Sequence, residues 1–403
     1  MSLSVQQLIK EADRCVACGL CLPHCPTYRK TGSEADSPRG RIQLMSALAK
    51  EILPANDRFK QHIDLCLSCR TCEAVCPNGV AYGALIDTTR ITIARQPNLF
   101  SQIANHLICH PHRRKIATKF LRVAQNAGVL NMMSRLFPSM RIPIALIPDI
   151  PAQQTWKALY PTTLHAKKGE VSLFLGCVTD NVDTNTLRAT VFTLNKLGYD
   201  VHIPKAQTCC GGIARQQGNA AESAKLIAQN QQAFMPLDNM PLLTVASGCG
   251  AGLTDYLQST GIKIQDISAF LAGCDWQSAE LQALAAEIYV QDPCTLRNVQ
   301  KTPEAVYKLL EKIPAAKIKK LAGNNQCCGG AGAYMLTEPA MADTLLEDKL
   351  KAIENAQVTW LATSNIGCAL HIACGLRAQG KTVKVEHPIM IVAKQLGFTG
   401  KIG

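Results

Sequence analysis

The spacing of apolar residues changes character along the chain. In the first 160 residues apolar positions recur every three or four residues, the period of a helix with one buried face. Residues 3–14 predict a short amphipathic helix, Ile42–Leu53 predicts another, and Phe59–Leu65 leads into a cysteine-rich run. From Tyr82 to about Pro161 the pattern stays helical and becomes basic, with apolar faces at Ile103–Leu107, Ile116–Val123 and Val129–Phe137. From about Lys168 strand-length runs alternate with helical stretches. Val171–Leu175, Leu242–Ala246 and Val358–Ala362 read as strands, and Thr186–Leu197 and Pro303–Leu310 as helices. Such alternation predicts a parallel sheet with helices packed on it.

The second half is also a repeat. One copy carries Cys177, Cys209-Cys210-Gly211-Gly212 and Cys249, and the other Cys294, Cys327-Cys328-Gly329-Gly330 and Cys368. Equivalent cysteines are 117, 118, 118 and 119 residues apart, so one unit has been duplicated. The expected domains are 1–90, whose two C-x2-C-x2-C-x3-C-P runs at Cys15–Pro26 and Cys66–Pro77 read as a two-cluster ferredoxin type; 91–167, a basic helical linker; 168–285, the first cysteine-rich unit; and 286–403, the second. The expected fold class is mixed α+β and α/β: a helical ferredoxin-like domain, then two tandem α/β units about a pseudo-twofold axis, their cysteine loops facing each other. The first and last cysteine of each unit fall just past a strand end, where parallel sheets gather ligands.

Composition narrows the compartment. The chain has 403 residues, 47% apolar and 18% charged, enough for a large core and too few charges for wholesale disorder. Nineteen cysteines, most in spaced motifs, favour metal ligation in a reducing cytosol over a disulfide framework. No signal peptide is recognisable, and no run of about 18 apolar residues predicts a membrane span. The expectation is a cytoplasmic protein.

The most specific chemistry lies near the start. Cys15-x-x-Cys18-x-x-Cys21-x-x-x-Cys25-Pro26 and Cys66-x-x-Cys69-x-x-Cys72-x-x-x-Cys76-Pro77 are two copies of the bacterial ferredoxin run. In that arrangement three cysteines hold one [4Fe-4S] cluster and the fourth reaches the other. The first cluster takes Cys15, Cys18, Cys21 and Cys76; the second takes Cys66, Cys69, Cys72 and Cys25. Zinc sites usually show paired C-x-x-C instead.

The formal charge of +12 falls to roughly +8 once two clusters of about −2 each are counted. That excess suits an acidic partner or anionic lipid. Nucleic acid is excluded by dispersed basic residues, only 5% aromatics and no recognisable binding module. Arg39 and Arg41 are expected either to neutralise cluster charge or dock a partner, or to sit in a solvated turn.

The eight cysteines of the repeat (Cys177, Cys209, Cys210, Cys249, Cys294, Cys327, Cys328, Cys368) leave three readings open. They are a third iron–sulfur site, zinc, or a metal-free redox or structural role. Cys109, Cys274 and Cys374 read as ordinary buried thiols. His110-Pro111-His112-Arg113-Arg114-Lys115 reads as a basic surface turn rather than a metal site. Arg141–Pro151 reads as an extended linker or partner-docking strip. His24, His165, His202, His371 and His387 stand alone, as structural histidines do. No glycine motif predicts a flavin, nicotinamide or ATP site on this chain, and no nucleophile or acid–base constellation is evident.

Taken together, Cys25-Pro-Thr-Tyr28, Ser37-Pro-Arg-Gly-Arg-Ile42, Cys66-Leu-Ser-Cys69-Arg-Thr-Cys72, Ala246-Ser-Gly-Cys-Gly-Ala251, Pro293-Cys-Thr-Leu296, Cys327-Cys-Gly329 and Asn365-Ile-Gly-Cys368 carry a resemblance over nearly the whole chain. The chain resembles the glycolate oxidase iron–sulfur subunit family, which is related to heterodisulfide reductase modules. The resemblance implies an electron-transfer subunit, inactive alone, of a flavin-dependent glycolate or D-lactate dehydrogenase. It implies an FAD partner subunit, a membrane quinone acceptor and a peripheral place on the inner membrane. Two alternatives stay open: service to another flavoprotein, such as a glycerol-3-phosphate dehydrogenase, and thiol–disulfide reduction at the repeat. Cys249 and Cys368 lack the C-x-x-C partner of heterodisulfide reductase units, which counts against noncubane chemistry.

Overall fold

The computed structural model describes residues 3–93, 111–137, 144 and 147–402, except 163, 165, 238, 258, 259 and 278. Cys109, His110, His165, Ile103–Leu107 and most of the Arg141–Pro151 strip lie outside the described residues, as does the side chain of His112.

Residues 3–93 form helices around two cysteine loops. α1 (Val5–Ala12) begins with a reciprocal capping box between Ser4 and Gln7 and buries Leu8 and Ala12. α2 (Pro26–Thr31) starts on the proline after Cys25, where a missing N–H costs nothing. α3 (Pro38–Ala49) is capped by Ser37, and α4 (Asp57–Asp64) by Asn56. α5 (Thr71–Ala74) holds Cys72, and α6 (Tyr82–Thr92) closes the bundle. Ile42, Met45, Phe59, Ile63, Leu85 and Ile86 form its core, against which Cys15, Cys72 and Cys76 pack. α3 starts four residues before the expected Ile42, because Ser37 and Pro38 supply the cap and first turn. Two basic helices follow, α7 (Pro111–Asn126) and α8 (Val129–Leu136).

The repeat folds as two α/β units with matching topology. The first sheet runs β1 (Leu159–Tyr160), β3 (Tyr199–His202), β2 (Gly169–Phe174), β4 (Leu242–Thr244), β5 (Ile264–Asp266). All pairs are parallel except β1 with β3. The second runs β7 (Lys317–Lys320), β6 (Glu287–Gln291), β8 (Trp360–Thr363), β9 (Lys384–Glu386), all parallel. The apolar pattern predicts only the two central strands of each sheet. The outer strands are short or polar; β7 reads Lys-Ile-Lys-Lys, with the half-exposed face of an edge.

Between the strands of unit one run α9 (Thr179–Val182), α10 (Thr184–Lys196), α11 (Gly212–Gln216), α12 (Ala220–Phe234), α13 (Ser247–Leu257) and α14 (Ile267–Ala272). Unit two has α15 (Glu304–Leu310), α16 (Tyr334–Thr337), α17 (Pro339–Asn355), α18 (Ile366–Ala378) and α19 (Pro388–Gln395). The first long helix of each unit packs on the last helix of the other, α10 on α19 and α15 on α14. This reciprocal swap is what a pseudo-twofold requires. It fuses both sheets into one core containing Val171, Leu243, Ile288 and Ile389.

His387 sits at this junction as the N-cap of α19, its Nδ1 accepting from the Ile389 N–H at 3.1 Å. Burial holds its ring neutral, pushing the pKa from 6.5 down to about 3. The unfolded chain takes up the proton below about 6.5 while the folded one does not, so this site costs stability as pH falls from 6.5 towards 3. His387→Asn keeps a cap acceptor and removes the titration. Its melting temperature should fall less steeply between pH 6.5 and 4 than that of the wild type; parallel slopes would contradict this.

Candidate functional site: three cysteine-lined cavities

Each ferredoxin run folds as a left-handed wrap. Ala17 and Gly19 have φ of +53° and +83°, and the equivalent Ser68 and Arg70 have +52° and +56°. An L residue enters this region at a cost of roughly 1–2 kcal/mol. Positive-φ residues two positions apart curve the backbone in the manner of anion-binding concavities. The Ser68 N–H donates to Cys66 Sγ at 3.5 Å, as does the Tyr82 hydroxyl.

Two cavities follow from these wraps. Cys15, Cys18, Cys21 and Cys76 line the first, beside Pro38, Ile42 and Val80. Cys25, Cys66, Cys69 and Cys72 line the second, beside Pro26, Leu67 and Arg41. Cys72 also borders the first. Burial pushes the Cys21 thiol up to about 11 and the Cys69 thiol up to about 12, and also holds Cys72 well above the usual thiol range. Sulfurs so placed stay protonated unless a cation takes the proton's place. The four-cysteine donor sets and the donors to Cys66 Sγ both fit an iron–sulfur cluster, whose iron would supply that charge.

Arg41 is not in a solvated turn. It is 1% exposed, donates to the His62 carbonyl at 2.7 Å and to Thr27 Oγ1 at 3.0 Å, and lies 3.6 Å from Asp36. Burial opposes its charge, but Tyr82, Cys66, Cys25 and Asp36 outweigh burial and keep it cationic. It therefore braces the second cavity and adds a positive charge next to it. Arg39 stays at the surface, bound to Glu34 at 2.6 Å and to the Ala17 carbonyl at 3.0 Å, where it pins the first wrap.

The third cavity, about 240 Å³, is lined by all eight cysteines of the repeat. Cys177 and Cys294 follow the ends of β2 and β6. Cys249 and Cys368 lie in the first turns of α13 and α18, where helix N-termini favour negative charge. Gly211 and Gly329, after each Cys-Cys pair, have φ of +79° and +84°. A Cβ on Gly329 would come within 2.5 Å of the Ala342 carbonyl, so the tight turn needs glycine there. The two units are stitched across the cavity by Ser247 N–H to the Ser364 carbonyl at 3.1 Å and Gly248 N–H to Asn365 Oδ1 at 3.2 Å.

Within each unit the thiols touch in a chain. Cys209 Sγ lies 3.4 Å from Cys177 Sγ, and Cys210 accepts from both Cys209 and Cys249. Those two bonds hold Cys210 well below the usual thiol range, while Cys249 is raised by the same contact. In unit two Cys294, Cys327, Cys328 and Cys368 form the corresponding chain, and Asn365 Nδ2 donates to Cys368 Sγ at 3.4 Å. Among the described residues no three His, Cys, Asp or Glu side chains converge on the centre of one metal ion. The sulfurs line a wall instead.

Several contacts at this site carry no signal in the sequence. Cys69 lines the second and third cavities together. Asn298 donates to the Cys69 carbonyl and to Thr71 Oγ1, both at 2.8 Å, and Tyr334 donates to the Leu65 carbonyl at 2.8 Å. Arg70 and Arg215 both grip Asp255, at 2.7 and 2.9 Å, and Arg215 lies 3.5 Å from Asp87. Lys30 pairs with Asp348 at 2.8 Å. These contacts seat the N-terminal bundle on both units at the mouth of the third cavity. No local motif announces pairs some 200 positions apart. Of the remaining single residues, Cys274 is half-buried against Tyr199, Cys374 is half-buried, and His202 pairs with Glu170.

Comparison with known proteins agrees with this architecture. Residues 11–80 match the 4Fe-4S dicluster domain family, and residues 171–254 and 288–373 each match the cysteine-rich domain family. The first span holds all eight ferredoxin cysteines and the other two hold the eight of the repeat. This is therefore an iron–sulfur protein of the dicluster plus paired cysteine-rich class. A probable glycolate oxidase iron–sulfur subunit of Bacillus subtilis is 32% identical, with 93% of this chain and 91% of that protein covered. The glycolate oxidase iron–sulfur subunit of Escherichia coli is 30% identical, with 95% and 93% covered. Lactate utilization protein A of Geobacillus kaustophilus is 28% identical over 54% of this chain and 96% of its own. The chain belongs to the glycolate oxidase iron–sulfur subunit family.

Removing the Arg41 guanidinium while keeping its bulk, as in Arg41→Met, strips the donor from the His62 carbonyl and Thr27 Oγ1 and leaves His62 Nδ1, at 2.8 Å, as the side-chain partner of Asp36. A loss of about 1–3 kcal/mol is expected, read by denaturant unfolding under anaerobic conditions. Unchanged stability would show that Arg41 is a spectator.

Proposed function

We propose that the chain is the electron relay of a flavin-dependent 2-hydroxyacid dehydrogenase, of glycolate or D-lactate type, passing electrons from an FAD subunit towards a membrane quinone. One observation carries the reading: Cys69 stands in the wall of the second ferredoxin cavity and of the central cavity, so the two share a side chain. The proposed ligands are Cys15, Cys18, Cys21 and Cys76 for one [4Fe-4S] cluster and Cys66, Cys69, Cys72 and Cys25 for the other. A bound cluster supplies one-electron transfer. The chain's own residues hold the cysteines in place, keep water away with Ile42, Val80, Leu67 and Tyr82, and hydrogen-bond the sulfurs.

The eight cysteines of the repeat are proposed to hold a further iron–sulfur centre. Eight cysteines around one cavity, two adjacent pairs among them, support an iron–sulfur centre over a single tetrahedral zinc. The domain limits proposed are 1–90, 91–167, 168–285 and 286–403. The relay reading is supported by the two glycolate oxidase relatives, both named as iron–sulfur subunits.

The test is anaerobic purification with the native partners, followed by iron counting and electron paramagnetic resonance. Roughly eight irons per chain correspond to two cubanes and roughly twelve to a third centre. Glycolate-dependent dye reduction should require the flavoprotein, and reduction by this chain alone would sink the proposal. Cys69→Ser should remove about four irons and stop transfer beyond the flavin. Full transfer by that variant would place the route elsewhere.

A further inference from the structure

Helices α7 and α8 face the wrong way for a free-standing protein. The side of α7 that meets unit one is polar. The buried Thr118 hydroxyl donates to Asn181 Oδ1 at 3.2 Å, and Arg114 lies 3.8 Å from Asp180. Gln125 donates to the Pro148 carbonyl and accepts from the Ile150 N–H, both at 3.1 Å. The opposite side carries Ile116, Phe120 and Val123, one helical stripe, at 58%, 73% and 62% exposure. α8 continues it with exposed Met132 and Leu136, and Phe137 follows. A helix normally buries its apolar stripe and exposes its polar one. Here the order is inverted, and an exposed apolar patch of this kind marks an interaction surface.

Charge identifies the occupant. Residues 88–148 contain no Asp or Glu, but they contain nine Lys or Arg: 90, 95, 113, 114, 115, 119, 122, 135 and 141. Arg113, Lys119 and Arg135 are exposed on α7 and α8. The buried centre of a protein–protein interface is depleted of charge. An interfacial helix combines large apolar side chains with Lys and Arg, the first entering the acyl boundary and the second meeting anionic headgroups. Among the described residues no helix is long and apolar enough to cross a membrane, so contact by this surface would be peripheral.

We propose that the outward stripe of α7 and α8 docks this chain on an anionic lipid bilayer, with Phe120 inserted and Arg113, Lys119 and Arg135 at the headgroup phosphates. The proposal rests on the relay reading only for its purpose, bringing the chain to a membrane acceptor. Vesicle binding tests the surface without any electron transfer, and dye reduction by the complex tests the relay without lipid, so the two can fail separately.

The experiment is flotation of the full, cluster-loaded chain with vesicles of equal parts phosphatidylglycerol and phosphatidylcholine, against phosphatidylcholine alone. Binding should need the anionic lipid and weaken with salt. Phe120→Glu and Lys119→Glu should each lower apparent affinity, the first by about tenfold or more. Ile52→Glu, at an apolar residue 74% exposed on the N-terminal bundle, should change nothing. Phe120→Trp should show a blue-shifted emission on anionic vesicles. Iron content equal to that of the wild type checks that each variant is folded. The proposal is overturned if the wild type ignores phosphatidylglycerol or if Phe120→Glu floats as well as the wild type. It is also overturned if that variant keeps its vesicle binding while losing the flavoprotein, which would make the stripe a protein interface.

Discussion

Sulfur must sit beside sulfur, away from water, before this protein can hold a cluster. Four thiols in an apolar pocket cannot all ionise unaided; burial drives Cys21 and Cys69 to about 11 and 12. The chain prepares for the missing positive charge in three ways. Left-handed residues at Ala17, Gly19, Ser68 and Arg70 curve both runs, and the Ser68 N–H donates to Cys66 Sγ. Arg41 is buried as a permanent cation between the two runs. Helices α13 and α18 point their N-termini at the central cavity. Each device lowers the cost of concentrating negative sulfur in a low dielectric.

The same constraint explains how the parts are joined. Cysteines from both runs line each ferredoxin cavity, so neither run can move without the other. The bundle is then clamped to both α/β units by Asn298, Tyr334, Asp255 and Asp348. The interface between the units is apolar and continuous with their cores, since α10 and α15 each pack on a helix of the opposite unit. A relay needs fixed distances between its centres. Polar clamps set the orientation here, and the shared core supplies the rigidity.

Helices α7 and α8 are held differently. A few polar anchors fix them to unit one, and their apolar residues are left outside. Rigidity in the relay and adhesion at the edge thus come from opposite uses of the same amphipathic helix.

Much of this was legible in the residue string. The two runs ending in Cys-Pro name the chemistry by spacing alone, because a cube of fixed size admits few loop lengths. The 118-residue repeat and its central strands follow from periodicity and from the recurring Cys-Cys-Gly turns. The outer strands were not legible, since three or four residues such as Lys-Ile-Lys-Lys carry too little pattern. Nor was the burial of Arg41, the double role of Cys69 or the grip of Arg70 and Arg215 on Asp255. Local spacing reports what one loop can ligate. Only the folded chain decides which distant surfaces meet, because those contacts depend on how whole helices pack and not on any neighbour in sequence.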